Sequence, residues 1–384
     1  MTFADKVRES AGPSFTKRLR QLDAILRAKG IDLADLEDAT VRKVGFWQAM
    51  HRDDDGNAVV TDLARIELAP AWETGPAWPP VQPAPRQKYP PPAKRNNRNK
   101  GWRTAIVLPD MQIGYFLNAD DQLEPIHDEA AIAVARAVIR EQQPDVIVMV
   151  GDNADFAEFS RFRLSPAYAR TTQATVDRCA ALAADLRTDA PQAEIVWLEG
   201  NHEARLSFHI IDNAKAAFGL KRGMEPDGWP VLSMPHLCHF EDASVRYVSG
   251  YPANDWWLND NLRVIHGHKV TSNGSTAHKY LDDARVSTIF GHVHRAEHAE
   301  RTRQTRDGPR TIMATSAGCL CRIDGVVPST KGGMDVRGAP VPTAEDWQQG
   351  FHLVHFQPGD GPFSVERVSI LNGWAMFRGK EYRA

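Results

Sequence analysis

Apolar and polar positions change rhythm three times along the chain. Over residues 1–69 the pattern is mixed. Leu19, Leu22, Ile25 and Leu26 recur at helical spacing ahead of Gly30, and strand-like runs at 44–50 and 58–61 flank the turn-rich Asp53-Asp54-Asp55-Gly56-Asn57. A helix followed by a β-hairpin is predicted there. Residues 70–92 lose the rhythm, and Pro79-Pro80 and Pro90-Pro91-Pro92 mark an extended, semi-rigid linker. From Thr104 onward, apolar runs at 104–108, 145–150 and 194–198 read as strands buried on both faces. They alternate with helices predicted over 128–142, over 173–187 and from near Glu203, and further strands are expected at 262–266 and 286–290. Beyond about residue 296 strand patterning takes over, at 311–315, 350–356 and 364–368. This predicts an α/β fold class: two sheets face to face with helices outside, an αββα sandwich, behind a small α+β N-terminal module. The expected divisions are 1–69 for the module, 70–103 for a Pro-rich then basic linker, and 104–384 for a catalytic domain with a β-rich second half.

Composition narrows the picture only in places. A net charge of −3 argues neither for nor against a nucleic-acid partner, because local distribution outweighs the sum. Residues 86–103 carry Arg86, Lys88, Lys94, Arg95, Arg98, Lys100 and Arg103 without an acid, with Tyr89 and Trp102 interleaved. Such a stretch either tracks a phosphate backbone or is a solvated linker. Cys179, Cys238, Cys319 and Cys321 are too few and too oddly spaced for a disulfide framework. Cys319 and Cys321 lie two apart with no matching second pair, so they read as packing thiols rather than a metal pair. The first ten residues have no apolar signal region, and no apolar run approaches the roughly 18 residues of a membrane span. The expectation is a soluble, cytoplasmic protein with reduced thiols and no membrane partner.

The chemistry lies in five short motifs, each ending a predicted strand. They are Asp110-Met111-Gln112, Gly151-Asp152 with Asp155, Gly200-Asn201-His202-Glu203, His266-Gly267-His268 and Gly291-His292-Val293-His294. In open α/β sheets ligands gather at the carboxyl ends of strands. A lone Gly-Asp or Gly-His carries little, but five in register point to a metal site. Carboxylates, imidazoles and a carboxamide suit Mn²⁺, Fe²⁺ or Zn²⁺.

On these motifs the chain resembles the calcineurin-like metallophosphoesterase superfamily, whose pattern is DxH, GDxxD, GNH(D/E), a lone histidine after a strand, and GHxH. The resemblance covers roughly 104–320. The chain is also similar to phosphoesterases encoded by actinobacterial phages, which share its tryptophan- and proline-rich lead-in. The resemblance implies two divalent ions, Mn²⁺ first, with Fe²⁺, Mg²⁺ or Zn²⁺ as alternatives. Asp110, Gln112, Asp152 and His294 would hold one ion, and Asp152, Asn201, His266 and His292 the other. A hydroxide bridging the ions would be the nucleophile. His202 would protonate the leaving oxygen, with Asp155 holding it in orientation. The family places a ligand directly after the strand, which favours His266 over His268; His268 would line the pocket or support the ligands.

Gln112 departs from the family pattern, making this a DxQ variant. A neutral carboxamide weakens the first site and tilts it toward harder ions, or it reaches the ion only through a water. Arg161, Arg163 and Arg205 follow metal motifs and are either phosphate clamps or surface arginines. Arg161, Arg205 and His268 are the candidate substrate contacts. Trp256-Trp257 and residues 269–279 lie where a specificity loop would cover the pocket, although paired tryptophans more often pack in a core. The expected function is metal-dependent hydrolysis of phosphodiester bonds in nucleic acid or nucleotides. Phe156, where the family's protein phosphatases commonly have arginine, weighs against that branch. A phosphomonoesterase acting on protein or a small molecule is the alternative, and a binding protein whose site has decayed at Gln112 is a third. Oligomeric state is left open.

Overall fold

The computed structural model describes residues 101–384 except Ala119, Arg163, Asp307, 329–339 and Pro342. It also describes residues 41–68 except Asp53 and Asp54, together with Arg20, Asp23, Ala24 and Arg27. Arg20, Asp23, Ala24 and Arg27 are helical, whereas Leu19, Leu22, Ile25 and Leu26 of the expected helix, the proline-rich linker, the basic stretch up to Lys100, and Arg163 lie outside the described residues. The chain divides into two units, Met1–Pro85 and Arg86–Ala384. In the first, strands β1 (Val41–Arg52) and β2 (Ala58–Leu68) form the predicted hairpin, with Arg52 opposite Ala58. Both strands run beyond the patterned residues.

The second unit is built on two sheets. Its strands are β3 (Arg103–Leu108), β4 (Tyr115–Leu117), β5 (Leu123–Pro125), β6 (Val146–Met149), β7 (Glu194–Leu198) and β8 (Val245–Val248). Next come β9 (Trp256–Asn259), β10 (Leu262–Ile265), β11 (Ser287–Phe290), β12 (Ala296–Thr305) and β13 (Gly308–Ala317). Last are β14 (Gln349–Phe356), β15 (Phe363–Ile370), β16 (Trp374–Phe377) and β17 (Lys380–Arg383). One sheet has six strands in the order β15-β14-β3-β6-β7-β8, with β3, β6, β7 and β8 parallel. The other has five, β12-β13-β11-β10-β9, with β10, β11 and β13 parallel.

Side chains on successive strand positions point to opposite faces. In β3, Ala105 and Val107 enter the apolar cluster between the sheets with Val148, Leu262, Val264 and Ile289. Ile106 and Leu108 face the other way, into a cluster with helices α1 (Glu129–Gln142) and α2 (Thr172–Asp189). Both faces are dry, which is why these strands read as unbroken apolar runs. Helix α3 (Asn201–Asn213) begins directly after β7. Helix α4 (Thr276–Asp283) covers the second sheet, where Ala277, Tyr280 and Leu281 cluster with Phe290 and Ala314. The layers are those of the expected αββα sandwich.

Local chemistry sets the helix ends. The Asp128 carboxylate accepts from the Ala130 and Ala131 amides at 2.9 and 3.1 Å, and Gln143 closes α1 in the left-handed region ahead of Pro144. One expectation is corrected. Trp256-Trp257 is no loop over the pocket but edge strand β9, with Trp256 packed on the inter-sheet cluster and Trp257 exposed. Among the described residues, no helix is long and apolar enough to cross a membrane.

Candidate metal centre

The carboxyl ends of β3, β6 and β7 in one sheet meet those of β10 and β11 in the other, and the five motifs follow these ends. The chain must turn abruptly there. Asp110, Gln112, Asp152, His292 and His294 all have left-handed backbone, at φ 37, 50, 50, 70 and 56°. Each such residue costs on the order of 1–3 kcal/mol unless its surroundings hold it, and such strain clusters at functional sites. Asp and His tolerate this region better than most, which leaves Gln112 as the exception. Close approach also demands glycine. A Cβ on Gly200 would lie 2.3 Å from the Asp152 amide nitrogen, and one on Gly291 would lie 2.5 Å from Asp110 Oδ2.

All seven predicted ligands converge. His294 Nε2 is 3.3 Å from Asp110 Oδ1 and 3.4 Å from Gln112 Nε2, which is itself 3.5 Å from Asp152 Oδ2. On the other side His266 Nε2 is 3.2 Å from Asp152 Oδ2 and 3.0 Å from Asn201 Oδ1. Donor atoms of Asp152, His266 and His292 lie within 4.8 Å of one another. Asp152 therefore stands between two donor sets, as expected of a bridging ligand. Gln112 Oε1 and His292 Nδ1 are among the buried atoms that have no hydrogen-bond partner among the described residues. Orphaned polar atoms at this point are costly in a protein alone and fit donors waiting for cations. A half-turn of the Gln112 amide exchanges its two ends and brings Oε1 to the position beside Asp152 and His294.

Charge at the site agrees with that reading. Burial works against ionisation of Asp152, but His202, His266 and His292 hold its carboxyl well below the usual range. Burial likewise opposes the charge on His266, yet the adjacent Asp152 carboxylate raises its pKa to about 9. His266 Nδ1 lies 3.2 Å from the Val150 carbonyl and its Nε2 3.0 Å from Asn201 Oδ1, so Nδ1 can keep its proton while a cation beside Asp152 would take the place of the proton on Nε2. Burial, then the charge on His266, lowers His292 to about 4, so its ring keeps a free lone pair.

His202 and Asp155 are also together. His202 Nδ1 donates to the Asp155 carbonyl at 3.1 Å and lies 2.9 Å from Asp155 Oδ1. Arg205, expected at the substrate, donates to His202 Nε2 at 2.8 Å and to the Asp155 carbonyl at 2.9 Å. It also lines a cavity of about 880 Å³ that reaches Asp152, Asn201, His292 and His294. The other two candidate contacts are placed elsewhere. Arg161 is exposed and stacks on Phe162, 5.2 Å from the ring centre, and His268 is exposed with its amide on the Tyr280 hydroxyl at 3.1 Å. Neither lines the cavity.

Glu203 was not foreseen as a site residue. Its buried carboxylate accepts from the amides of Asp152, Asn153, Ala154 and Gly200 and from the Trp197 indole, at 2.8–3.2 Å. Burial and the Asp152 charge push its pKa up against these five donors. The only sequence signal was an acid following Asn-His at the start of a helix. Trp347, from the segment before β14, sets its ring edge-on to His294 with centroids 4.1 Å apart and lines the cavity.

Two sheets whose strand ends share a cluster of carboxylates, imidazoles and carboxamides define a metal-dependent hydrolase architecture. The family model for calcineurin-like phosphoesterases matches residues 105–296, half of the chain, and the chain belongs to that family. No curated protein sequence matches it. Among solved structures it is similar to YfcE, a phosphoesterase from E. coli, at 13% identity and a TM-score of 0.26, over 70% of this chain and 100% of that one. It is also similar to vacuolar protein sorting 29 from Cryptosporidium parvum, at 11% identity and a TM-score of 0.30, over 74% of this chain and 100% of the other. The family implies hydrolysis of phosphoesters with divalent metal ions.

Proposed function

We propose that this centre hydrolyses phosphodiesters of nucleotides or nucleic acid, with Mn²⁺ as the resident ion. The cavity carries the reading. At about 880 Å³ it falls in the range of sites that enclose a drug-sized ligand, roughly 300–1,000 Å³, and a phosphate alone would leave most of it empty. One wall presents the ligand set; another presents Phe162, Leu164, Val270 and Trp347, apolar surface suited to a base or sugar. Of the two guanidiniums that line the cavity among the described residues, Arg295 is engaged by Glu297 and the Thr271 carbonyl. Arg205 rests on the His202 ring and the Asp155 carbonyl, partners it can exchange for phosphate oxygens, and one such cation suits a singly charged diester better than a dianionic monoester. Phe156, at the position of the phosphatase arginine, is buried in the core.

Asp110, Gln112, Asp152 and His294 would hold one cation, and Asp152, Asn201, His266 and His292 the other. When bound, the ions would activate water for attack on phosphorus and take up the charge developing on its oxygens. Arg205 leaves His202 for a phosphoryl oxygen, which frees His202 Nε2 to carry the proton that passes to the leaving oxygen. Asp155 keeps Nδ1 and the ring plane fixed. The test is turnover of bis- and mono-p-nitrophenyl phosphate and of single-stranded and duplex DNA and RNA with Mn²⁺. Diester turnover is expected, falling roughly 10²–10⁴-fold in His202→Asn. Turnover of monoester alone would remove the diesterase reading, and no turnover with any metal would favour a binding protein.

A further inference from the structure

Cys319 and Cys321 belong to the extended segment after β13, where Cys319 bridges Gln349 and Cys321 bridges His127. Residues two apart in extended chain point to the same side. There they meet the outer edge of His294: Cys321 Sγ lies 3.9 Å from His294 Nδ1, and a ring nitrogen of His294 and both sulfurs are within 4.8 Å of one another. All three side chains are buried. His294 turns its other nitrogen toward Asp110 and Gln112. A ligating imidazole ordinarily gives its outer nitrogen to a carboxylate, carbonyl or water. Here a sulfur faces it.

We propose that His294 Nδ1, Cys319 Sγ and Cys321 Sγ form a site for one thiophilic d¹⁰ cation of the zinc–cadmium class, separate from the oxygen-rich donors on the opposite edge of the same ring. Two sulfurs and an imidazole are a soft donor set. A tetrahedral ion with bonds of about 2.0–2.3 Å places its donors roughly 3.3–3.8 Å apart, so the 3.9 Å spacing needs only slight closure. The thiols are less suited to each other. An extended i, i+2 pair has Cα atoms about 6.4–6.8 Å apart, at the upper limit of what a disulfide spans. Binding releases the two thiol protons to solvent and uses the Nδ1 lone pair, leaving the ring proton on Nε2, where Asp110 Oδ1 accepts it. In that form His294 does not serve the first hard cation. The soft ion thus competes with one of the two ions of the proposed reaction; this consequence rests on the proposed function, whereas the binding does not.

The experiment titrates the full-length protein, in excess Mn²⁺ and a non-thiol reductant, with Cd²⁺. It reads thiolate-to-cadmium charge-transfer absorption and cadmium retained per chain after gel filtration, neither of which needs turnover. Cys179 and Cys238, neighbours in the helical layer, stay in every variant, so their contribution cancels. Wild type should retain one cadmium per chain more than C319S/C321S and show the added absorption. Equal retention and equal absorption in the two proteins would overturn the site. Should the double variant not fold, C319A decides: its cadmium affinity should fall by more than the roughly 10–100-fold that loss of an outer partner costs. Unchanged affinity in C319A also overturns it.

Discussion

Gln112 carries the main chemical question at the scale of single residues. It is buried, its backbone is left-handed, and its Oε1 has no partner among the described residues. Glutamine fits that backbone less readily than histidine does, and a carboxamide donates less to a cation than an imidazole. Gln112→His should therefore relieve strain and tighten the first ion, with a gain on the order of the 10–100-fold that changes around a ligand bring. Metal content after dialysis, beside diester turnover, tests this; equal occupancy and equal rates in both proteins would sink it. The convergence of the seven candidate residues was legible because each motif pairs a donor with a strand end. The left-handed strain they share was not, since φ leaves no trace in the identity of a glutamine. Arg161 and His268 do not line the cavity, for a related reason. Proximity in sequence to a ligand does not fix which way a side chain leaves the turn.

At the scale of elements, the junction of β7 with α3 organises the centre. Glu203 ties the amides after β6 to the start of α3, so one buried carboxylate holds Asp152 and Asn201 in mutual position. Glu203→Gln would present an amide NH₂ to backbone N–H donors and should cost about 1–3 kcal/mol. A lower urea midpoint at constant m-value is the expected outcome; an unchanged midpoint would mean that the carboxylate is not the tie. Strands β3, β6 and β7 were readable because both faces are dry, and α1 because Ala131, Val134, Ala135, Val138 and Ile139 repeat at helical spacing on its buried face. Strands β8 and β9 were not. They are four residues each at sheet edges, and their partial exposure breaks the apolar run that announces a central strand.

For the whole molecule, stability should depend on pH through a histidine far in sequence from the motifs. His352, buried in β14, is lowered from 6.5 to about 3 by burial first, then by the charges of Arg367 and His298. Between these values the unfolded chain binds a proton that the folded chain refuses, so stability falls as pH drops through this window. The slope from this group is at most about 1.4 kcal/mol per pH unit. His352→Gln should flatten it, as urea unfolding of metal-free protein across the window would measure; identical slopes would refute the assignment.

The docking of the two sheets has a consequence for how the protein comes into being. Asp110 and His292 touch across 182 positions of sequence, one at the end of β3 and the other at the end of β11. A nascent chain that has made only β3 through β8 owns Asp110, Gln112, Asp152 and Asn201 but none of the three histidine donors, and can begin no hydrolysis. Ions that bind the finished arrangement alone favour it by mass action, like a clasp closed last. A chelator would then be felt as a loosening of the entire second unit, and activity would be a certificate that both sheets had been built.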